Sequence, residues 1–304
     1  IVLSCNRGYL QNRSWSFMIK KILVIGGTGL IGRPVVEQLL ADGFDVTIGS
    51  RSPGHVQDIF GNRFTAIPID LTEPTTIPKA IADQDAIHVS LPSGPRFKDC
   101  FRTEYQGIIN LMSNVGESNL KRISYLSGDS VTPDETFPPV RAKWLAEEAI
   151  RSGDIPYSIW RPTWFAETLT KLARFGTIAM IGKGEVGAHW LTGRDFGRWV
   201  SKSMNEPKAD NQTFNPYGQE WLSMKEAVEI YRDICFPLRP IASSPIGMVS
   251  FIGKTLRNWD MWFGAEMFRF LESVGERGDP TTGNELFGKM SQTVEDFARE
   301  QAGI

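Results

Sequence analysis

Cysteine and histidine are scarce in this chain: three of each among 304 residues, none of them clustered. Cys5, Cys100 and Cys235 fit no C-x-x-C or zinc-ligand spacing, so the thiols suit a reducing compartment better than a disulfide framework. His55, His88 and His189 are equally scattered and leave little material for a metal site, so no metal is expected. No apolar run approaches the roughly 20 residues that a membrane-spanning helix needs. Excess charge of one sign is missing as well. The formal net charge of -2 gives no general field for nucleic acid or an anionic membrane, and no nucleic-acid partner is expected. The Walker pattern G-x-x-x-x-G-K-[ST] is absent, which removes that class of phosphate site. These absences suit a cytoplasmic protein; Arg7 and Arg13 in an acid-poor start leave organelle import open.

What is present is a strand, a glycine turn and a helix in immediate succession. Lys21–Ile25 (KILVI) is a continuous apolar run of strand length. It is followed at once by Gly26, Gly27, Thr28, Gly29, Leu30, Ile31 and Gly32. This turn satisfies both G-x-x-G-x-x-G and G-x-G-x-x-G. Residues 30–41 then carry helical periodicity, with Pro34 in the first turn, where its missing N–H costs nothing. Glycines at that spacing let the backbone bend sharply and let a helix N-terminus approach a pyrophosphate. The context makes the motif a dinucleotide site rather than a chance match.

Further strands are expected near 45–49, 64–69, 85–91, 121–126 and 156–160, alternating with helices near 77–83, 101–117 and 140–151. That alternation predicts an α/β fold, a doubly wound parallel sheet of Rossmann type, with ligands along its carboxyl edge. Residues 1–17 read as an extension outside the fold, and 18–162 as the dinucleotide-binding core. Residues 163–304 read as a mixed region that completes the sheet and forms a smaller substrate-side lobe. That region holds a helix near 195–204, in which Asp195 reads as an N-cap.

The end of the second strand selects the cofactor. Where an NAD site would place an acid on the ribose hydroxyls, this chain has Ser50, Arg51 and Ser52. Arg51 suits a 2′-phosphate, with a serine hydroxyl beside it, which points to NADP(H). Asp70 and Leu71, after the third strand, are candidates for the adenine end, although an Asp entering a loop is as often a turn residue.

Together KILVI-GGTGLIG, Arg51, Lys143 in RAKWLAEEAI and the strand end IWRPTWF resemble the atypical short-chain dehydrogenase/reductases. The nearest group is the NmrA-like and isoflavone-reductase-like proteins. The resemblance covers roughly residues 20–235. It implies that Lys143 binds the nicotinamide ribose or also delivers a proton to the substrate. It implies too that Ser127, or else Ser130, faces a substrate carbonyl, and that Pro162, Thr163 and Trp164 run along the nicotinamide. Ser90 and Leu91, ending the fourth strand, should pass near the cofactor ribose. One departure matters. Reductases of the wider superfamily use Y-x-x-x-K, in which the lysine tunes a proton-donating tyrosine, and here Pro139 stands four residues before Lys143. A plain surface reading of Lys143, paired with Glu147 one turn on, also stays open.

Two functions follow from the resemblance. One is an NAD(P)H-dependent reductase of a small apolar acceptor, of quinone or carbonyl/enone type. The other is an NADP(H)-binding redox sensor or accessory protein with little or no catalysis. The aromatic segment 259–271 (WDMWFGAEMFRFL) is read first as a cap on the substrate pocket. Protein or membrane contact through it, with Lys254, Arg257 and Arg269 nearby, is the less favoured alternative.

Overall fold

The computed structural model describes residues 18–91, 96–116, 118–174 and 176–304. The proposed extension 1–17, with Cys5, and the end of the expected helix at Glu117 lie outside the described residues.

The first half alternates as the periodicity requires. Strand β1 (Lys21–Ile25) leads through the glycine turn to α1 (Gly32–Ala41), then β2 (Asp45–Ser50), α2 (Pro53–Phe60) and β3 (Thr65–Pro68). Helix α3 (Ile77–Ile81) precedes β4 (Ala86–Val89), and α4 (Phe97–Cys100) runs through a π-helical stretch, Phe101–Gln106, into α5 (Gly107–Met112). Then follow β5 (Arg122–Leu126), α6 (Pro138–Arg151) and β6 (Tyr157–Trp160). The expected helix 101–117 therefore starts earlier, at Phe97, changes register over Phe101–Gln106 and ends at Met112. The π turn shifts the helical phase and brings Glu104 inward, where it is fully buried.

The second half is more irregular. It contains β7 (Ala173–Arg174), β8 (Thr177–Ile181), β9 (Gly187–Trp190), α7 (Gly193–Ser203), β10 (Gln212–Phe214), β11 (Glu220–Ser223) and α8 (Met224–Cys235). After β12 (Ile241–Ser244) the chain is helical: α9 (Ile246–Thr255), α10 (Trp259–Ser273), α11 (Thr281–Phe287) and α12 (Val294–Ala302). Thr192, not Asp195, caps α7 by accepting from the Asp195 N–H. The Asp195 carboxylate instead accepts the Ser291 and Gln292 N–H groups, tying the C-terminal segment to the core.

One seven-stranded parallel sheet organises the molecule, in the order β10-β6-β5-β4-β1-β2-β3. Its central strands are buried on both faces, hence their continuous apolar runs rather than alternation; β4 and β5 are buried at every residue, whereas the edge strand β3 has none buried. One face packs under α1 and α7 around Val35, Val36, Leu39, Phe196 and Trp199. The other packs under α3, α5 and α6 around Ile81, Ile108, Leu111 and Ile150. Each such fully buried side chain contributes roughly 1.5–3 kcal/mol. Where β1 separates β2 from β4, successive crossovers leave in opposite directions and open a crevice at the strands' carboxyl ends.

Candidate active site

The crevice holds two cavities of nearly equal size. The first, about 410 Å³, lies over the ends of β1, β2 and β4. Gly26, Thr28, Gly29, Leu30 and Ile31 line it on one side, and Arg51, Ser52, Asp70, Leu71, Ser90 and Leu91 on the others. The glycine turn is shaped by close approach. Gly26 sits at φ 85, and a Cβ there would lie 2.0 Å from the Ser90 carbonyl oxygen. A Cβ on Gly32 would lie 2.1 Å from the Gly26 oxygen. Gly27 lies underneath, against Val36 and Ile48, so its glycine serves packing between helix and strand. The result is a tight backbone cradle in front of the N-terminus of α1, which fits a pyrophosphate. At the far end Arg51 stands between Ser50 and Ser52, with no acid at the end of β2. Asp70 is occupied locally: its Oδ1 accepts from the Thr72 backbone N–H at 2.9 Å and the Thr72 hydroxyl at 2.8 Å.

The second cavity, about 420 Å³, adjoins the first, and Ile31, Leu91 and Leu126 line both. Lys143 stands at this junction. Its Nζ donates to Glu104 Oε1 at 2.7 Å and to the Leu126 carbonyl at 3.1 Å. Glu104 in turn accepts from the Tyr125 hydroxyl at 2.8 Å. Burial, reinforced by the Glu104 carboxylate, holds the Tyr125 hydroxyl well above the usual tyrosine range, so it stays a donor. An ammonium has three N–H bonds. Two are committed to fixed partners and aim the third.

Lys143 does not pair with Glu147, as the surface reading required. Glu147 is fully buried and accepts from Arg151, from Arg161 and from the Ser127 hydroxyl. This sharpens the reading of Ser127. It lines the second cavity, but its proton is committed to Glu147, so it presents acceptor lone pairs there rather than a donor. Ser130 lines the same cavity, as do Pro162, Thr163 and Trp164. Pro162 and Thr163 are held by backbone bonds, the Pro162 oxygen accepting from Asp129 N–H and the Thr163 hydroxyl donating to the His189 oxygen.

The outer wall is largely apolar. Met267, Phe268, Phe270 and Leu271 of α10 close it opposite Val140 of α6 and Phe165. Phe270 stacks on Phe137 with centroids 4.5 Å apart. The aromatic segment thus packs inward as a cap. The chain after α10 is strapped down by polar groups: Asp129 accepts from Tyr217, Asn215 and the Arg277 N–H, while His189 bonds Glu276 at 2.7 Å. Burial raises the Asp129 carboxyl, and those three donors oppose the rise.

The structure gathers most of the expected residues into one crevice in two groups, Gly26 to Leu91 in one cavity and Ser127 to Thr163 in the other, while Gly27 and Gly32 lie beneath the turn and line neither. Sequence reasoning missed Glu104, Tyr125, Asp129 and Glu276. Glu104 carried a weak signal, as an acid within an otherwise apolar helical face. The others carried none, because their roles arise from contacts across long stretches of chain.

These features define an α/β dinucleotide-binding protein whose cofactor cleft opens into an apolar chamber. Residues 26–205 match the model of a family described as NAD(P)H-binding. The chain belongs to that NAD(P)H-binding family. It is 27% identical over 218 residues to the prestalk A differentiation protein A of Dictyostelium discoideum, covering 69% of this chain and 67% of that one. To the NAD(P)H azoreductase of Xenophilus azovorans it is 25% identical over 212 residues, 67% and 70% of the two chains. Its fold superposes on an NADPH-dependent quinone oxidoreductase of Escherichia coli, solved with NADPH, at a TM-score of 0.72 and 16% identity, covering 92% and 99%.

Proposed function

We propose that this protein is an NADPH-dependent reductase of a small apolar acceptor, of quinone or carbonyl/enone type. The observation that carries the reading is the junction itself: Lys143 bonds the carbonyl of Leu126, which with Ile31 and Leu91 lines both the dinucleotide cavity and the apolar chamber. The glycine turn, Ser90 and Leu91 would hold the pyrophosphate and ribose, and Arg51 with Ser52 the 2′-phosphate. Pro162 and Thr163 would flank the nicotinamide. Bound NADPH supplies a hydride. The chain's own part is to orient the acceptor in a dry chamber and meet the charge that develops on its oxygen. Lys143 fills that electrostatic role, as the cation of the junction whose position Glu104 and Leu126 determine. Ser127, its proton turned to Glu147, orients rather than donates. Names among the relatives, an azoreductase and a quinone oxidoreductase, agree with reduction of flat electron-poor acceptors.

The test is Lys143→Met, followed by NADPH oxidation against a water-soluble benzoquinone. Turnover should fall about 100-fold or more, with NADPH affinity within roughly tenfold of the parent. Unchanged turnover and affinity together would exclude the assignment.

A second reading is favoured by Pro139 in the tyrosine position and by the inward turn of Ser127. An NADP(H)-binding sensor needs neither donor, and a relative named for differentiation rather than for a reaction agrees with it. Micromolar dinucleotide binding without turnover of any quinone or enone would select it.

A further inference from the structure

The outer surface of the cap is unlike the rest of the molecule. Six of the ten large apolar side chains exposed among the described residues fall between Leu238 and Met261. Phe251 and Leu256 are each 71% exposed, Met248 48% and Ile252 37%. Met248, Phe251 and Ile252 are spaced i, i+3, i+4 and share one face of α9, which Leu256 extends at its end. The opposite face is spoken for. Gly253 is buried, and a Cβ there would come within 2.6 Å of the Trp262 nitrogen, so α9 and α10 cross at close range. Ser250 bonds Glu266 of α10 at 2.6 Å, and Arg257, at φ 53, turns the chain between the two helices. This apolar face is therefore presented outward by a fixed hairpin.

Charge indicates what would cover it. From Ile234 to Trp259 the chain has no acidic residue, and its bases are Arg239, Lys254 and Arg257. Lys254 and Arg257 are exposed beside the apolar face, and Arg96 lies over the Trp259 ring at 5.2 Å. The acids flanking the stretch are Asp233 of α8, paired with Arg232, and Asp260 and Glu266 of α10. Glu266 is already engaged by Ser250 and Arg269. A short helix with bulky apolar residues outward, bases at its margin and no acid has the make-up of an interfacial helix.

We infer that the outer face of α9 docks this protein on an anionic lipid bilayer. Phe251, Ile252 and Leu256 would enter the acyl boundary, and Lys254 and Arg257 would lie at headgroup level. The same hairpin forms the chamber wall through Met267, Phe268 and Leu271 on its inner side. Docking there would set the chamber beside the layer in which apolar molecules collect.

Flotation of the full-length protein with vesicles tests this. Binding is expected to phosphatidylglycerol-rich vesicles, weaker binding to pure phosphatidylcholine, and release by salt. Phe251→Ser with Leu256→Ser should abolish flotation, and Lys254→Glu with Arg257→Glu should weaken it about tenfold or more. NADPH affinity should be unchanged in both double variants, which also shows that they are folded. Equal, salt-insensitive binding to both vesicle types would overturn the proposal, as would no binding to either. So would a concentration-dependent dimer abolished by Phe251→Ser with Leu256→Ser, since the face would then cover a second copy.

Discussion

The two cavities at the sheet's carboxyl edge differ little in volume, about 410 and 420 Å³, yet are built by opposite means. The dinucleotide half is made mostly of backbone. Its phosphate cradle sits within one turn, where side chains matter by being absent, as at Gly26 and Gly32. The acceptor half is made of side chains from distant segments. Lys143 of α6, Glu104 of the π turn, Leu126 of β5 and the aromatic face of α10 meet only when the whole chain is folded.

The largest effect should come from the local half. Gly26→Ala forces a Cβ onto the Ser90 carbonyl from a backbone conformation that L-residues disfavour. Affinity for both NADPH and NADH, read by quenching of tryptophan fluorescence, should drop about 100-fold or more, with the fold checked by circular dichroism. Binding within a few-fold of the parent would show that the turn tolerates side chains and is no cradle.

In the acceptor half the expected change is smaller and of another kind. Glu104→Gln keeps the shape but removes the carboxylate that holds Lys143 and Tyr125. Turnover should fall roughly 10- to 100-fold while the dissociation constant for NADPH moves less than about twofold. An equal loss in both quantities would mean that Glu104 supports the fold rather than positions the lysine, and the two halves would not be separable.

The smallest effect tests the cofactor's far end. Arg51→Ala should weaken NADPH about tenfold, as expected for loss of one charge-assisted contact, and leave NADH unchanged. Parallel titrations of the two dinucleotides read the difference directly. Equal weakening of both would assign Arg51 to the adenine and leave the 2′-phosphate without its expected partner.

The legibility of these regions in the sequence follows the same division. The β1-turn-α1 unit was readable because strand, turn and helix are contiguous and each leaves its own periodicity. Arg51 was readable by its position after β2. Lys143 was found through family resemblance, but its partner was not. Glu147 is the natural guess at i+4, yet the structure buries Glu147 against Ser127, Arg151 and Arg161 and supplies Glu104 from another helix. The π turn that brings Glu104 inward leaves no signature in a pattern of apolar residues. Asp195 had the look of a helix cap; Thr192 holds that place, and Asp195 binds the chain near residue 291.

The cap shows the same limit from the other side. A net charge of -2 over the chain conceals an acid-free stretch, residues 234–259, whose exposed apolar residues lie on the outer side of the cap. In the segment 259–271 the aromatic residues suggested an outward contact as well as a cap. They turn inward because Gly253 lets α9 cross α10 at close range, and α9 takes the outer position.

By itself, then, the sequence determined the parallel α/β core and the glycine turn that leads into α1, since each depends on neighbours in chain and on short-range stereochemistry. Only the tertiary structure decided which carboxylate holds Lys143, which way Ser127 turns its proton, and which helix of the cap faces out. Those choices depend on packing between residues that are not neighbours in chain, where desolvation obliges each buried charge to find partners.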